Sequence, residues 1–290
     1  RKVYEKMLEW KRESAGKTAL LIEGARRVGK STVAEEFAKN EYKSYILIDF
    51  AAASKEVKEL FDDISNLNYI FLRLQLIFHV DLHERDSVII FDEIQLCPKA
   101  RQAIKHLVKD HRYDYIETGS LISIKKNVKD ILIPSEERKL SMFPLDYEEF
   151  LWAMGNTTTP KLLAEMLHNR IPLGAAVHRQ QMRDFRLYML VGGMPMPVVT
   201  FIESKKDFTE ADREKRDILK LYREDIMKID AKYRSKVLAI YDQIPGFLSQ
   251  HEKRVVFKKL QDGSYADQYE ETFFWLSDSM ISNECFLCND

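Results

Sequence analysis

The chain has 290 residues, 45% hydrophobic and 31% charged, enough for one sizeable core with one or two satellite domains, and this composition excludes global disorder. Lys and Arg (45) nearly balance Asp and Glu (46), for a formal charge of −1, so there is no overall basic footprint for nucleic acid and any such contact must be local. Three cysteines give no disulfide framework, and no apolar run reaches membrane-spanning length or forms a signal-peptide core; the expectation is a cytoplasmic protein with no membrane partner. Cys285 and Cys288 form a lone C-x-x-C pair with no second pair to close a tetrahedral metal site, and read as reduced thiols.

Residues 1–13 place Val3, Met7, Leu8 and Trp10 at helical spacing, which predicts a helix packed beside the first strand. Next comes TALLIEGARRVGKST. The apolar run Ala19-Leu20-Leu21-Ile22 stops at Gly24, four residues separate that glycine from Gly29-Lys30-Ser31, and a helix-forming segment follows. This is G-x-x-x-x-G-K-[ST] between a strand and a helix, the pattern of a phosphate-cradling loop. Gly24 and Gly29 permit positive φ and close backbone approach, so successive N–H groups can point at phosphate oxygens. The positive end of the following helix adds to that field. Lys30 supplies an ammonium for β- and γ-phosphates, and the Ser31 hydroxyl can ligate magnesium. The candidate nucleotide-binding set is Gly24, Ala25, Arg26, Arg27, Val28, Gly29, Lys30, Ser31 and Thr32.

Residues 45–50 read as a second parallel strand, and 54–80 as two helices, the second (67–80) apolar enough to be expected in the core. In SVIIFDE, residues 87–93, four consecutive apolar residues fit a strand buried on both faces, and an acidic pair at its tip costs too much to bury without a task. Asp92 is the candidate magnesium ligand opposite Ser31, and Glu93 the candidate general base that polarises attacking water. After a helix over 98–110, residues 113–120 read as a strand ending in Thr118-Gly119-Ser120. Thr118 and Ser120 are candidate sensors of the γ-phosphate, and Ser120 reads equally as a helix N-cap. A fifth strand is expected at 139–142 with Arg138 at its start, then a helix over 147–154 capped by Pro144-Leu145-Asp146.

The turn formers of 155–160 predict a linker, after which the alternation of strand and helix stops. Residues 161–245 are helical in pattern. A helix over 175–190 runs into the turn Val191-Gly192-Gly193-Met194-Pro195, and an amphipathic helix covers 217–228. Such a helical segment after an α/β core is expected to pack as a lid. Helical patterns at 237–244, 252–260 and 265–278, then a short strand at Met280-Ile281, outline a winged-helix module. Lys253, Arg254, Lys258 and Lys259 cluster in it, either as a DNA contact or as a solvated helix face.

With GARRVGKS, IIFDEIQ, ETGS, FPLDYEEF, YMLVGGMP and IPGFLSQ in this order, the chain resembles the prokaryotic ATPases of the AAA+ superfamily that carry a C-terminal domain of unknown function, close to archaeal-type and STAND ATPases. The resemblance covers nearly the whole chain. It implies an α/β P-loop core with a five-stranded parallel sheet in the order 5-1-4-3-2, a helical lid and a winged-helix-like C-terminal module. The corresponding boundaries are 1–155 for the core, 156–231 for the lid and 232–290 for the module, which is expected to be truncated. It also implies that the Gly193-x-Pro195 turn contacts adenine and that Arg138 is a candidate charge-stabilising or inter-subunit arginine. No arginine stands out as a lid sensor; Arg216 and Arg223 are the candidates.

The functional expectation is Mg-dependent ATP binding and hydrolysis, with ATP and Mg2+ as cofactors. Its alternative is a nucleotide-controlled switch with slow turnover, with DNA bound through the C-terminal module as a further role. A homo-oligomer is the other partner considered. A P-loop kinase is more distant, because no acceptor-substrate site is apparent and the Asp92-Glu93 pair suits water activation.

Overall fold

The computed structural model describes residues 1–119, 136–229, 231–250 and 269–283. Ser120, the basic cluster Lys253, Arg254, Lys258 and Lys259, and Cys285 and Cys288 lie outside the described residues. The chain divides into two compact units, 1–214 and 215–290.

The first unit opens with α1 (Lys2–Ser14), β1 (Ala19–Gly24), α2 (Lys30–Glu41) and β2 (Ser44–Asp49). Then come α3 (Lys55–Glu59), α4 (Leu67–Phe78), β3 (Ser87–Asp92), a 3-10 turn (Ile94–Leu96), α5 (Pro98–Asp110), β4 (Asp114–Gly119) and β5 (Glu137–Met142). The five strands form one parallel sheet in the order β2-β3-β4-β1-β5, the expected order read from the other edge. Strand alternation divides the core in two. Leu20, Ile22, Val88, Ile90 and Ile116 meet Val3, Met7 and Trp10 of α1 and Val33, Ala34 and Phe37 of α2. Ala19, Leu21, Ile46, Ile48, Ile89, Phe91 and Tyr115 face α3, α4 and α5 on the other side. β3 is buried from Ser87 to Phe91, as a strand covered on both faces requires.

Some expectations are corrected. The fifth strand starts at Glu137 rather than at 139, because Ala19 and Leu20 pair with Glu137 and Arg138. α4 buries only Ile70, Phe71 and Leu74, and leaves Tyr69, Leu72 and Leu76 exposed, so it is half core and half surface.

α6 (Tyr147–Ala153) starts on a complete capping box, in which Asp146 accepts from Glu149 N and the Glu149 side chain accepts from Asp146 N. α7 (Thr158–His168), α8 (Gly174–Val191) and α9 (Pro195–Glu203) follow, and α10 (Phe208–Met227) begins in this unit. The linker is shorter than expected: α7 starts at Thr158, and Thr159 N donates to the Asn156 side chain at 3.1 Å. Phe150, Val191, Val198, Phe201 and Ala211 form a small apolar core of their own.

In the second unit the expected helix at 237–244 is part of a longer one, α11 (Ala231–Ser249), which contains Pro245. α12 (Glu270–Asp278) follows. Met280-Ile281 is not a strand: Met280 has φ 58° and Ile281 N returns to Leu276 O at 3.1 Å, which closes the helix end. Residues 252–260 lie outside the described residues, so a winged helix is not shown. No single described helix is long and apolar enough to cross a membrane.

Candidate active site

The C-terminal ends of β1, β3 and β4 meet where the chain reverses direction across the sheet, the place where open parallel sheets bind ligands. Gly24 ends β1 beside Met142 of β5. A Cβ on Gly24 would sit 2.3 Å from the Met142 carbonyl oxygen, so only glycine lets the strands approach this closely. The loop then turns with Arg27 at φ 67° and Gly29 at φ 94°, and α2 starts at Lys30. Ala25 and Val28 are buried beneath the loop, Arg27 and Thr32 are exposed, and Arg26 and Ser31 are half-buried.

Lys30 is buried, and its Nζ donates to the carbonyls of Gly24 and Ala25, both at 2.9 Å. Burial lowers its pKa to about 8 against the pull of the Glu93 and Asp92 carboxylates, and Arg26 lowers it further. The Ser31 hydroxyl donates to Asp92 Oδ1 at 2.7 Å, and the Thr118 hydroxyl donates to the same oxygen. The residue after β2 braces this corner, where Phe50 N donates to the Asp92 carbonyl at 3.0 Å. Glu93 follows in the left-handed region (φ 52°, ψ 45°), and its side chain accepts from Gln95 Nε2.

The structure thus brings together Lys30, Ser31, Asp92, Glu93 and Thr118. It also brings in the turn at Gly193–Pro195. Pro195 Cγ lies 3.6 Å from a Cβ built on Gly29, Leu145 N donates to the Gly193 carbonyl at 2.7 Å, and Tyr188 donates to the Leu145 carbonyl at 2.9 Å. A Cβ on Gly193 would sit 2.2 Å from Leu145 O. Arg138 is not brought in: it pairs with Leu20, four residues from the Gly24–Met142 end, and its guanidinium bonds Glu13 at 2.5 Å. Arg216 and Arg223 belong to the second unit, where Arg223 pairs with Asp242.

One residue of the site escaped the sequence reading. Gln95 restrains Glu93, and its only signal was its place two residues past the acidic pair.

The oxygens of Ser31 and Asp92 converge as a hard-donor pair, and the described residues hold no group of three or more His, Cys, Asp or Glu side chains suited to a metal. That donor set fits magnesium, which takes few protein ligands and completes its shell with phosphate and water.

A strand, a glycine loop, a helix and a neighbouring acidic strand tip define the class: a P-loop α/β domain. Residues 16–151 match the family model described as an AAA domain, and residues 182–290 match a domain of unknown function (DUF8612). The chain thus carries a segment similar to AAA domains, followed by one similar to a domain of unknown function. No match is found among curated proteins. Among solved structures it is similar to PCH-2 of C. elegans, at 15% identity and a TM-score of 0.32 over 58% of this chain and 46% of that one. It is also similar to the ORC1 protein of Aeropyrum pernix in complex with DNA (13% identity, TM-score 0.36, 95% of this chain and 83% of that one). A third is Drosophila ORC bound to DNA (15% identity, TM-score 0.36, 98% and 81%). The chain thus spans less than half of the PCH-2 chain it matches.

Proposed function

We propose that the chain binds Mg-ATP and hydrolyses its β–γ bond. The observation that carries this reading is the convergence of the P-loop hydroxyl of Ser31, the Asp92 carboxylate and the Thr118 hydroxyl beside the buried Lys30 ammonium.

In this reading the backbone N–H groups of the loop from Gly24 to Ser31 and the start of α2 take the phosphate oxygens. Lys30 exchanges the Gly24 and Ala25 carbonyls for phosphate oxygens, and the added negative charge offsets the burial that depresses its pKa. Ser31 and Asp92 would hold magnesium, which when bound neutralises charge on the β- and γ-oxygens. Glu93, steadied by Gln95, aligns a water and takes its proton as the water oxygen bonds to the γ-phosphorus and the bond to the ADP oxygen breaks. Thr118 reports the γ-phosphate through the oxygen it shares with Ser31. The Gly193–Pro195 turn, beside Gly29, packs on the adenine as part of a helical lid. Catalysis is then mostly positioning and electrostatics.

A slow nucleotide-controlled switch is the second reading, and the clasp of Gly193 on Leu145 next to the loop favours it as the element that nucleotide would bias. Steady-state release of phosphate from Mg-ATP, measured beside nucleotide occupancy of the purified protein, tests both. Turnover that stops in Glu93→Gln supports hydrolysis, retained ADP with negligible turnover supports the switch, and neither binding nor turnover removes both.

A further inference from the structure

We propose that Arg101 is a positioning residue for the phosphate site, holding the tip of β4, and with it the Thr118 hydroxyl, in register with Asp92 from the opposite face of the sheet. The proposal rests on the hydrolase reading for its kinetic consequence, and on geometry alone for the clamp itself.

Arg101 lies on α5, the first helix after Asp92 and Glu93, and its backbone N donates to Cys97 O at 3.2 Å. Its guanidinium donates to Glu117 Oε2 at 3.0 Å through Nη1 and lies 2.9 Å from Glu137 Oε2 through Nη2. The three side chains are only 2%, 0% and 1% exposed. One group thus joins the segment that follows β3 to the end of β4 and to the start of β5, across the intervening β1.

Glu117 sits at a consequential place. Phe91↔Glu117 is the last pair of the β3–β4 ladder, and the next residue on each strand is Asp92 and Thr118, whose side chains meet. Alternation along β4 sends Glu117 toward α5 and Thr118 toward the nucleotide loop, so the clamp acts on the site without touching it.

Stability alone is a weak reason for such a group. Buried ion sets are often no more stabilising than apolar residues of similar volume. Here one guanidinium faces two carboxyl groups, and Arg101 Nε, Glu117 Oε1 and both Glu137 oxygens are buried without hydrogen-bond partners. What a guanidinium that bonds Glu117 and lies against Glu137 supplies beyond an apolar contact is a fixed angle and register for the strand end it grips. None of the three residues is used by the proposed chemistry.

The test compares wild type, Arg101→Lys, Thr118→Val and the charge-free variant Arg101→Met/Glu117→Gln/Glu137→Gln, the last also combined with Thr118→Val. Each is assayed for kcat and KM with Mg-ATP, and for amide exchange in residues 114–119 and 19–24. The charge-free variant keeps the wild-type circular dichroism, loses at least about tenfold in kcat with KM within about twofold, and exchanges its 114–119 amides at least about tenfold faster while 19–24 are unchanged. Thr118→Val costs a comparable factor alone but under about twofold when added to the charge-free variant, since both act through one hydroxyl. Arg101→Lys, which cannot fork to both carboxylates, falls between, and carries the same readouts if the charge-free variant does not fold. Unchanged kcat, multiplicative effects of the two changes, or unchanged exchange in 114–119 overturns the proposal. A wild type without turnover removes the hydrolase reading instead, and exchange at 114–119 then decides the clamp.

Discussion

Ser31 and Asp92, 61 positions apart, are joined by a 2.7 Å hydrogen bond from the Ser31 hydroxyl to Asp92 Oδ1. It ties the start of α2 to the tip of β3 at the point where the magnesium of a bound nucleotide would be held. Ser31→Ala and Asp92→Asn are expected to leave the fold intact and weaken Mg-nucleotide binding by about tenfold or more, with little effect on binding measured in EDTA. Titration calorimetry in both buffers checks this.

Lys30 and Glu93 are expected to separate binding from chemistry. Lys30→Ala loses tight nucleotide binding. Glu93→Gln binds as wild type but loses roughly 100-fold or more in turnover, the usual scale of a lost general base. Nucleotide affinity and phosphate release, measured on the same preparations, separate the two effects.

Glycine at position 24 is set by a backbone contact that a methyl cannot avoid, because its Cβ would lie 2.3 Å from Met142 O. Gly24→Ala is expected to cost about 1–3 kcal/mol in thermal or denaturant unfolding, the range for overpacking a close contact, and to abolish nucleotide binding. Gly193→Ala meets Leu145 O at 2.2 Å and is expected to weaken nucleotide binding while costing the sheet little.

The Arg101 cluster predicts a pH dependence of stability. Burial, then the charge of Glu137, raise the Glu117 carboxyl from 4.5 to about 8, with Arg101 acting in the opposite sense. Glu137 is raised too, by burial, and is itself acted on by Arg101, Lys139 and Glu23. The folded state therefore keeps a proton that the unfolded chain releases near 4.5. The stability from this group is complete below that pH and is lost as pH rises toward 8. Unfolding of wild type and Glu117→Gln from about pH 5 to pH 8 should show wild type losing ground, by no more than about 1.4 kcal/mol per pH unit. Parallel curves contradict this assignment.

Much of the fold was legible because it follows from local pattern. Apolar runs such as Val88 to Phe91 announce strands buried on both faces, and the glycine spacing around Lys30 announces the loop. The start of β5 was not legible, because Glu137 and Arg138 are charged residues in a strand at the sheet's edge, where the ladder with β1 sets structure and local propensity does not. The exposed face of α4 was hidden for the opposite reason, since its apolar residues lie all around the helix and periodicity could not tell Leu72 from Leu74. Glu117 and Arg101 carried no signal of their own, since their burial depends on a pairing between elements that sequence spacing does not encode. Gln95 was overlooked because its role is to hold Glu93, a contact fixed by the left-handed turn between them.

The most direct test of the central claim is calorimetric titration of Mg-ATP into the wild-type chain and into Lys30→Ala. A saturable heat near one nucleotide per chain in wild type, absent from the variant, is the predicted result. No heat in wild type, or the same heat in both, contradicts the placement of a triphosphate at this loop.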